Sequence, residues 1–403
     1  MTPFFNLINK LGRPHTPKPP ARRQAIVRIC LSILLLLLLL VTSAVVLTKG
    51  LSHDEHMYLS AARLLDSGSI YTDFAYLQTP YMPYVYHFMI NIFNSGYILA
   101  TGRATKLIIV TALVLVFFQL ASCLSSDRWF ALTCLFIIVE NNIFRHNLGL
   151  ARNHVLPMLL VLIGVYSFVS SWSYSRTTIT YTAIGILSGL AIGTKLTYAL
   201  VPIAIALPVF IKYGVSKHSI SLMIKFSFGL VLGLLPLIYL CINAGFDRVF
   251  FYNVGYHNLN YIVFAEAGNP SAMSFMGKLQ NAKHTLFLLP NQFLLLLSLF
   301  IFFLIVMEKH RGFVILKSQP VICCGVLVFV SIAMFLIPAP VWPAYYFPFV
   351  ICLALLTCAL YSKLSAQSRK TAKMLASISV SLLIVYQIPA DLRLGRAALN
   401  PGH

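Results

Sequence analysis

The stretch Leu51-Ser52-His53-Asp54-Glu55-His56-Met57-Tyr58 gathers two acids and two histidines into one prospective helical turn. Ser52 and Glu55 stand at capping-box spacing, where a hydroxyl and a carboxylate satisfy free backbone N–H groups at a helix start. Asp54 is not needed for that box. A helix N-terminus favours an anion, and a carboxylate kept ionised there is a candidate general base toward an attacking hydroxyl. Glu55 therefore reads as a cap or as a second catalytic acid, and Asp54 as a base or as a solvated first-turn acid. His53 and His56, at i,i+3 beside the acids, form a donor set for a divalent transition metal, or are surface histidines that hydrogen-bond locally.

Four further stretches carry candidates. Tyr71 to Tyr84 is dense in tyrosine; Tyr76, Gln78 and Tyr81 form a wall for a lipid chain or sugar, or an interfacial aromatic belt. Asp73 closes a turn there or takes part in the site. Glu140 to His154 offers Glu140, Arg145, Arg152, Asn153 and His154. An acid at the end of an apolar run is a functional candidate, and an ion pair with Arg145 is the structural alternative. Lys195 interrupts an apolar run after Gly189 and Gly193; it faces a cavity as a phosphate-binding cation or snorkels to the surface. Pro338 to Pro348, with Trp342, Tyr345 and Tyr346, breaks two apolar runs, as proline does where backbone lines a cavity.

The elements that position these residues follow from composition. The chain has 403 residues, 59% hydrophobic and 10% charged, against about 25% charged in soluble domains, and its mean hydropathy is +0.84. A soluble enzyme, a disordered chain and a disulfide-framed secreted domain are excluded. An all-α, polytopic integral membrane protein is expected, because apolar runs of about 20 residues recur. The charge of +20 is read as basic loops on the cytoplasmic side and not as a nucleic-acid surface, since the aromatics fall in apolar runs and their flanks. The 8 cysteines form no CxxC pair, so buried structural thiols are expected.

Residues 1–28 read as a basic cytoplasmic segment, and 29–388 as one transmembrane domain of about eleven spans. The first span covers 29–48. The others fall near 104–124, 129–144, 154–171, 179–194, 196–211, 220–242, 285–306, 320–337, 345–361 and 374–388. The first outer loop, 49–103, is expected to carry two surface helices, near 55–66 and 83–95. A large outer loop, 243–284, holds His257 and is placed to cover a site. A short outer tail, 389–403, ends the chain.

An acid-aromatic first loop, an Asn/Arg-rich second loop, a lone lysine after a Gly-rich turn and a late Tyr-Tyr-Phe-Pro together resemble the GT-C glycosyltransferases of the protein O-mannosyltransferase and aminoarabinose-transferase type (families 39 and 83). The likeness is strongest over Asp54–Tyr84, where Asp-Glu, Ala-Arg-x-Leu-x-x-x-Gly and Gln-Thr-Pro recur in order. The resemblance implies a polyprenyl-phosphate-sugar donor, inverting transfer on the extracytoplasmic face of a bacterial inner membrane, and a lipid, glycan or protein acceptor. It makes Asp54 the first-loop acid that acts as base or orients the acceptor, and sets Lys195 and Tyr345 near the donor phosphate. The residues themselves add Glu55 as a catalytic candidate, Arg152 and Tyr346 as phosphate-binding candidates, and Tyr76, Gln78, Tyr81, Asn153, His154 and His257 as substrate-binding candidates. Asn153-His154 stands where relatives often carry a second acid, and Gln78-Thr79 where some carry lysine before the first-loop proline. No cofactor is required by the motifs, and a divalent metal stays open.

Two other readings compete: a lipid-linked glycan polymerase or ligase, which relies on a large late loop, and a transporter or flippase, which places ionisable groups near the bilayer midplane. The topology has a direct check. A cysteine at Ser52 is expected to react with membrane-impermeant maleimide in intact cells; labelling only after lysis would invert the map.

Overall fold

The computed structural model describes residues 21–94, 96–171, 178–266, 274–308, 318–338 and 341–399. The basic segment expected over residues 1–28 therefore lies largely outside the described residues. The described chain is all-α, with one isolated bridge between Ile70 and Phe74 and no sheet among the described residues. In chain order the helices are α1 (Ala21–Thr48), α2 (His53–Leu64), α3 (Tyr81–Phe93), α4 (Ile98–Ser125), α5 (Arg128–Val139), α6 (Asn142–Leu148), α7 (Val155–Ser171) and α8 (Thr178–Thr194). A 3-10 turn, Leu196–Leu200, leads into α9 (Pro202–Tyr213) and α10 (Lys217–Ala244). Next come α11 (Phe246–Phe250), a π turn at Phe251–Gly255, α12 (Tyr256–Glu266), α13 (Phe275–Leu286), α14 (Leu289–Met307) and α15 (Gln319–Leu336). A second 3-10 turn, Pro343–Tyr346, precedes α16 (Phe347–Tyr361) and α17 (Ala366–Leu399).

Among the described residues, 6 helices are long and apolar enough to cross a membrane, or 7 if the bent pair α1–α2 counts as one. The expected eleven spans are not reproduced by this measure. The runs around 129–144, 154–171 and 179–194 give shorter apolar helices, below the roughly 20 residues that cross a hydrocarbon core untilted. The 129–144 run is cut because α5 ends at Val139 and the Asn141 side chain caps a new helix, accepting from Ile143 N–H at 2.9 Å. Helices α2 and α3 stand in the chain where the two surface helices are expected. At the chain's end α17 continues as helix to Leu399, through most of the residues expected as a tail.

The core runs along α16, whose spanning window is 83% buried, whereas the window in α10 is 22% buried. A helix apolar all round belongs in the interior, and α16 packs against α4, α14 and α15. The closest helix pair is α8 against α10. A Cβ placed on Gly229 would stand 2.0 Å from the Thr182 carbonyl oxygen, and one on Gly189 would stand 2.4 Å from that of Leu230. Only small residues allow two membrane helices to approach so closely. Gly193 admits the ring of Tyr81 from α3. The Tyr81 hydroxyl then enters the α10 ladder beside Pro236, donating to Gly233 O at 3.0 Å and accepting from Leu237 N–H at 3.1 Å. Proline disturbs the helical ladder around it, and this hydroxyl supplies the missing partners while fastening α3 to α8 and α10.

Two consequences set the direction of the outer elements. The axis bends by 84° between α1 and α2, so α2 lies across the end of the bundle. At the other end of α4, roughly 40 Å away at 1.5 Å per residue, Asp127 caps α5 and accepts from Trp129 N–H at 3.1 Å and Phe130 N–H at 3.2 Å. Its second oxygen accepts from Tyr361 Oη at 3.0 Å and pairs with Lys373, which joins α5, α16 and α17. Gly229→Leu is expected to force α8 and α10 apart, at a cost of about 3 kcal/mol. Gly164→Ala, where the added carbon meets Ile184 at 3.7 Å, is expected to leave thermal unfolding in detergent unchanged, so equal melting temperatures for both variants would refute the close packing.

Candidate functional site

The site is assembled where the N-terminus of α2 meets the irregular segment between α6 and α7, here the 149–154 strap. Ser52 ends the extended chain and Glu55 takes up the capping position, accepting from Ser52 N–H at 3.2 Å. Glu55 does more than cap. It is 0% exposed, and its oxygens also accept from Arg103 of α4 at 3.3 and 3.1 Å and from Ala151 N–H at 2.9 Å. A buried carboxylate needs such donors. The expected second catalytic acid is therefore enclosed, and the carboxylate that remains accessible at this helix start is Asp54.

The Asp54 side chain is 46% exposed and pairs with Arg152 of the strap, Nε to Oδ2 at 2.9 Å. Arg152 Nη2 donates to the Ser52 hydroxyl at 3.0 Å. The guanidinium thus straddles the start of α2, and the Asp54 carboxylate is fixed yet open to solvent. His53 stands 4.0 Å from Asp54 with its own side chain turned to solvent.

Lys195 occupies the break between α8 and the 3-10 turn that follows. Gly193 is filled by Tyr81, the α8 helix closes at Thr194, and the chain turns to extended at Lys195. The Lys195 side chain turns inward. Its Nζ lies 3.0 and 3.1 Å from the two ring nitrogens of His154 and 4.6 Å from the centre of the Tyr345 ring. The His154 and Tyr345 rings meet edge-on at 5.7 Å. Burial pushes Lys195 down to about 7, the positive charge of Arg152 adds to that shift, and Asp54 opposes it. Burial, Lys195 and Arg152 together hold His154 well below the ordinary imidazole range, so it stays neutral near pH 7. Asn153 donates to Thr194 O at 3.3 Å and to the Gln78 side chain at 3.5 Å, tying the strap to α8 and the first loop. His257 of α12 contacts Leu77 O at 3.2 Å, which brings the large loop onto the same wall.

The structure therefore gathers Asp54, Arg152, Asn153, His154, Lys195 and Tyr345, with Gln78 and His257 at the margin. Other candidates lie elsewhere. Tyr81 is engaged in α10, and Tyr346 is fully buried against Phe335 at 4.7 Å. Asp73 closes the 68–73 turn by accepting from Ser69 N–H at 2.7 Å. Glu140 pairs with Arg145. Tyr76, with its buried hydroxyl, helps to wall a cleft of about 600 Å³ together with Met57, Ala61, Phe74, Tyr252 and Tyr256. Met57 and Ala61 follow Asp54 at i+3 and i+7, so this apolar cleft runs along the helix face that begins at the acid.

Three site residues escaped the sequence reading. Tyr58 is buried within electrostatic reach of Asp54 and Arg152; its i+4 spacing from Asp54 was the available signal. Arg103 stood at the border of an apolar run. Lys106 is a charge inside that run, a feature that marks function by default.

No protein-family model matches the sequence, and no curated protein matches it. Among solved structures, an oligosaccharyltransferase of Archaeoglobus fulgidus, crystallised with zinc and sulfate, superposes with a TM-score of 0.54 at 17% identity. The fold is GT-C-like. The likeness covers 90% of this chain and 53% of the other, so the chain spans about half the length of that enzyme.

The Asp54 oxygen meets a guanidinium, and among the described residues no group of three His, Cys, Asp or Glu side chains converges. The fixed cation beside Asp54 is Arg152. The depressed Lys195 gives this site a pH signature. The amine is mostly neutral at pH 8, and an adjacent anion restores its charge, so inorganic phosphate, itself a dianion at that pH, is expected to bind with proton uptake at pH 8. Calorimetry in buffers of different ionisation enthalpy measures it; buffer-independent heats at pH 8, or uptake retained in Lys195→Met, would contradict the placement.

Proposed function

We propose that this GT-C-like protein is a membrane glycosyltransferase that moves a sugar from a polyprenyl-phosphate donor to a hydroxyl acceptor, with inversion, at the extracytoplasmic end of the bundle. The observation that carries the reading is an accessible carboxylate paired with a fixed cation, Asp54 against Arg152, with the Lys195 amine nearby against His154 and Tyr345 and within the field of both. The GT-C-like fold supports it.

The chemistry needs two opposed groups. Asp54 accepts the proton of the acceptor hydroxyl as its oxygen attacks the anomeric carbon. The bond from that carbon to the phosphate oxygen breaks, and its electron pair leaves with the phosphate. A phosphate monoester carries about −1.5 to −2 charge, and Lys195, recharged by that anion, and Arg152 stabilise it as it forms. Attack from the face opposite the phosphate inverts the anomeric carbon; inverting glycosidases space their two groups about 6.5–9.5 Å apart for the same reason. The neutral His154 ring packs against Lys195 without adding charge, and Tyr345 supplies an aromatic face to the cation. The apolar cleft along α2 suits a lipid chain at the bilayer surface. Because the chain spans about half of the archaeal enzyme, the acceptor is not inherited from that likeness.

The test is a panel of synthetic polyprenyl-phosphate sugars with purified protein, reading release of polyprenyl phosphate. Asp54→Asn is expected to reduce transfer by at least about 100-fold, the range for loss of a general base, with expression and melting temperature unchanged. Lys195→Ala is expected to weaken donor binding about tenfold, near 1.4 kcal/mol. Turnover by Asp54→Asn close to wild type would remove the base from the mechanism.

A further inference from the structure

Lys106 has no role in the transfer chemistry described above, yet it is a fully buried amine on α4, directly ahead of the apolar stretch that begins at Leu107. A lysine in that setting is costly and is retained only where it meets a partner. Its Nζ donates to the backbone carbonyl of Arg152 at 3.4 Å, and its charge lies in the field of Arg152 and Glu55. Arg103 sits one turn earlier on the same face of α4 and clamps Glu55. Glu55 in turn holds the N–H of Ala151 at 2.9 Å.

The peptide units on either side of the Ala151–Arg152 step are therefore gripped from two sides, by a carboxylate on the Ala151 N–H and by the Lys106 amine on the Arg152 carbonyl. The strap has no helical ladder to set its backbone; its own local contact is Arg152 N–H to Leu150 O at 2.8 Å. These two buried side chains flank the residue whose guanidinium meets Asp54 and Ser52. We propose that Lys106 and Glu55 are positioning residues, which fix the 149–154 strap so that Arg152 is held against Asp54. The inference rests on the transferase reading for its effect on turnover, while its structural half stands without it. Lys106 has no exposed surface, so it acts through Arg152 and not on the donor.

The test combines exchange and kinetics on the full-length protein in detergent. In Lys106→Met, backbone amides of residues 149–154 are expected to exchange at least about tenfold faster by hydrogen–deuterium mass spectrometry, as local opening becomes easier. With a polyprenyl-phosphate sugar that the wild-type protein turns over, kcat is expected to fall about 10- to 100-fold, the scale of an ångström-level misplacement, while donor KM stays within about twofold. Lys106→Arg, which keeps the charge and the donor, is expected to restore most of kcat. Glu55→Gln, which keeps an acceptor for Ala151 but weakens the grip of Arg103, serves if Lys106→Met does not fold, and the same faster exchange and loss of kcat are expected. Unchanged strap exchange in the folded variants would overturn the proposal, and so would a raised donor KM with unaltered kcat, because Lys106 would then contact the donor itself. If wild-type protein transfers no sugar, the transferase reading fails, and the exchange measurement still decides the anchoring.

Discussion

A carboxylate with no access to water must find its donors within the protein, and in this chain that requirement organises the site. Glu55 accepts from the start of its own helix, from Arg103 on α4 and from Ala151 on the strap. Three segments far apart in the chain are thereby brought to one group. Removing a partner from such a network strands a buried charge, which costs much more than an exposed ion pair contributes. Asp54, one residue earlier, is carried to the accessible side of the same turn. Adjacent residues on one helix thus receive different tasks, because successive positions of a helix point about 100° apart and meet different surroundings.

The polar network needs a rigid base, and the bundle provides one by apolar means. The buried α16 forms the axis, and α8 and α10 approach at backbone distance through small residues. The end of α8 is consequently well placed, and Lys195 sits just beyond it. Tyr81 reaches from α3 into the proline-disturbed ladder of α10 and fastens the first loop to the bundle. Lys195 comes from the end of α8 and Asp54 from the start of α2, and the strap touches both, through His154 and Arg152.

Much of this was legible beforehand. The two helices of the first loop, the capping role open to Glu55, the Glu140–Arg145 pair and the inward Lys195 all follow from local rules about caps, charges and apolar runs. Tyr81 and Tyr346 were read as substrate contacts because tyrosines near a membrane boundary share one signature whether they face a ligand, a helix or the core. The expected span over 129–144 is interrupted by a cap. Asn141 restarts the helix inside a stretch whose hydropathy alone suggests continuity, and hydropathy averages do not register a single capping side chain.

The sequence by itself determined a helical membrane chain, the start of α2, and the presence of an acid and several cations near the ends of apolar runs, because periodicity, capping and transfer energy act over a few neighbouring residues. Only the tertiary structure decided which acid is enclosed and which is open. It also decided that Arg152 answers Asp54, that His154 and Tyr345 surround Lys195, and that Lys106 reaches the strap. Those facts depend on which helix faces approach one another, and that is settled by close packing between segments up to a hundred or more residues apart, which no local pattern encodes.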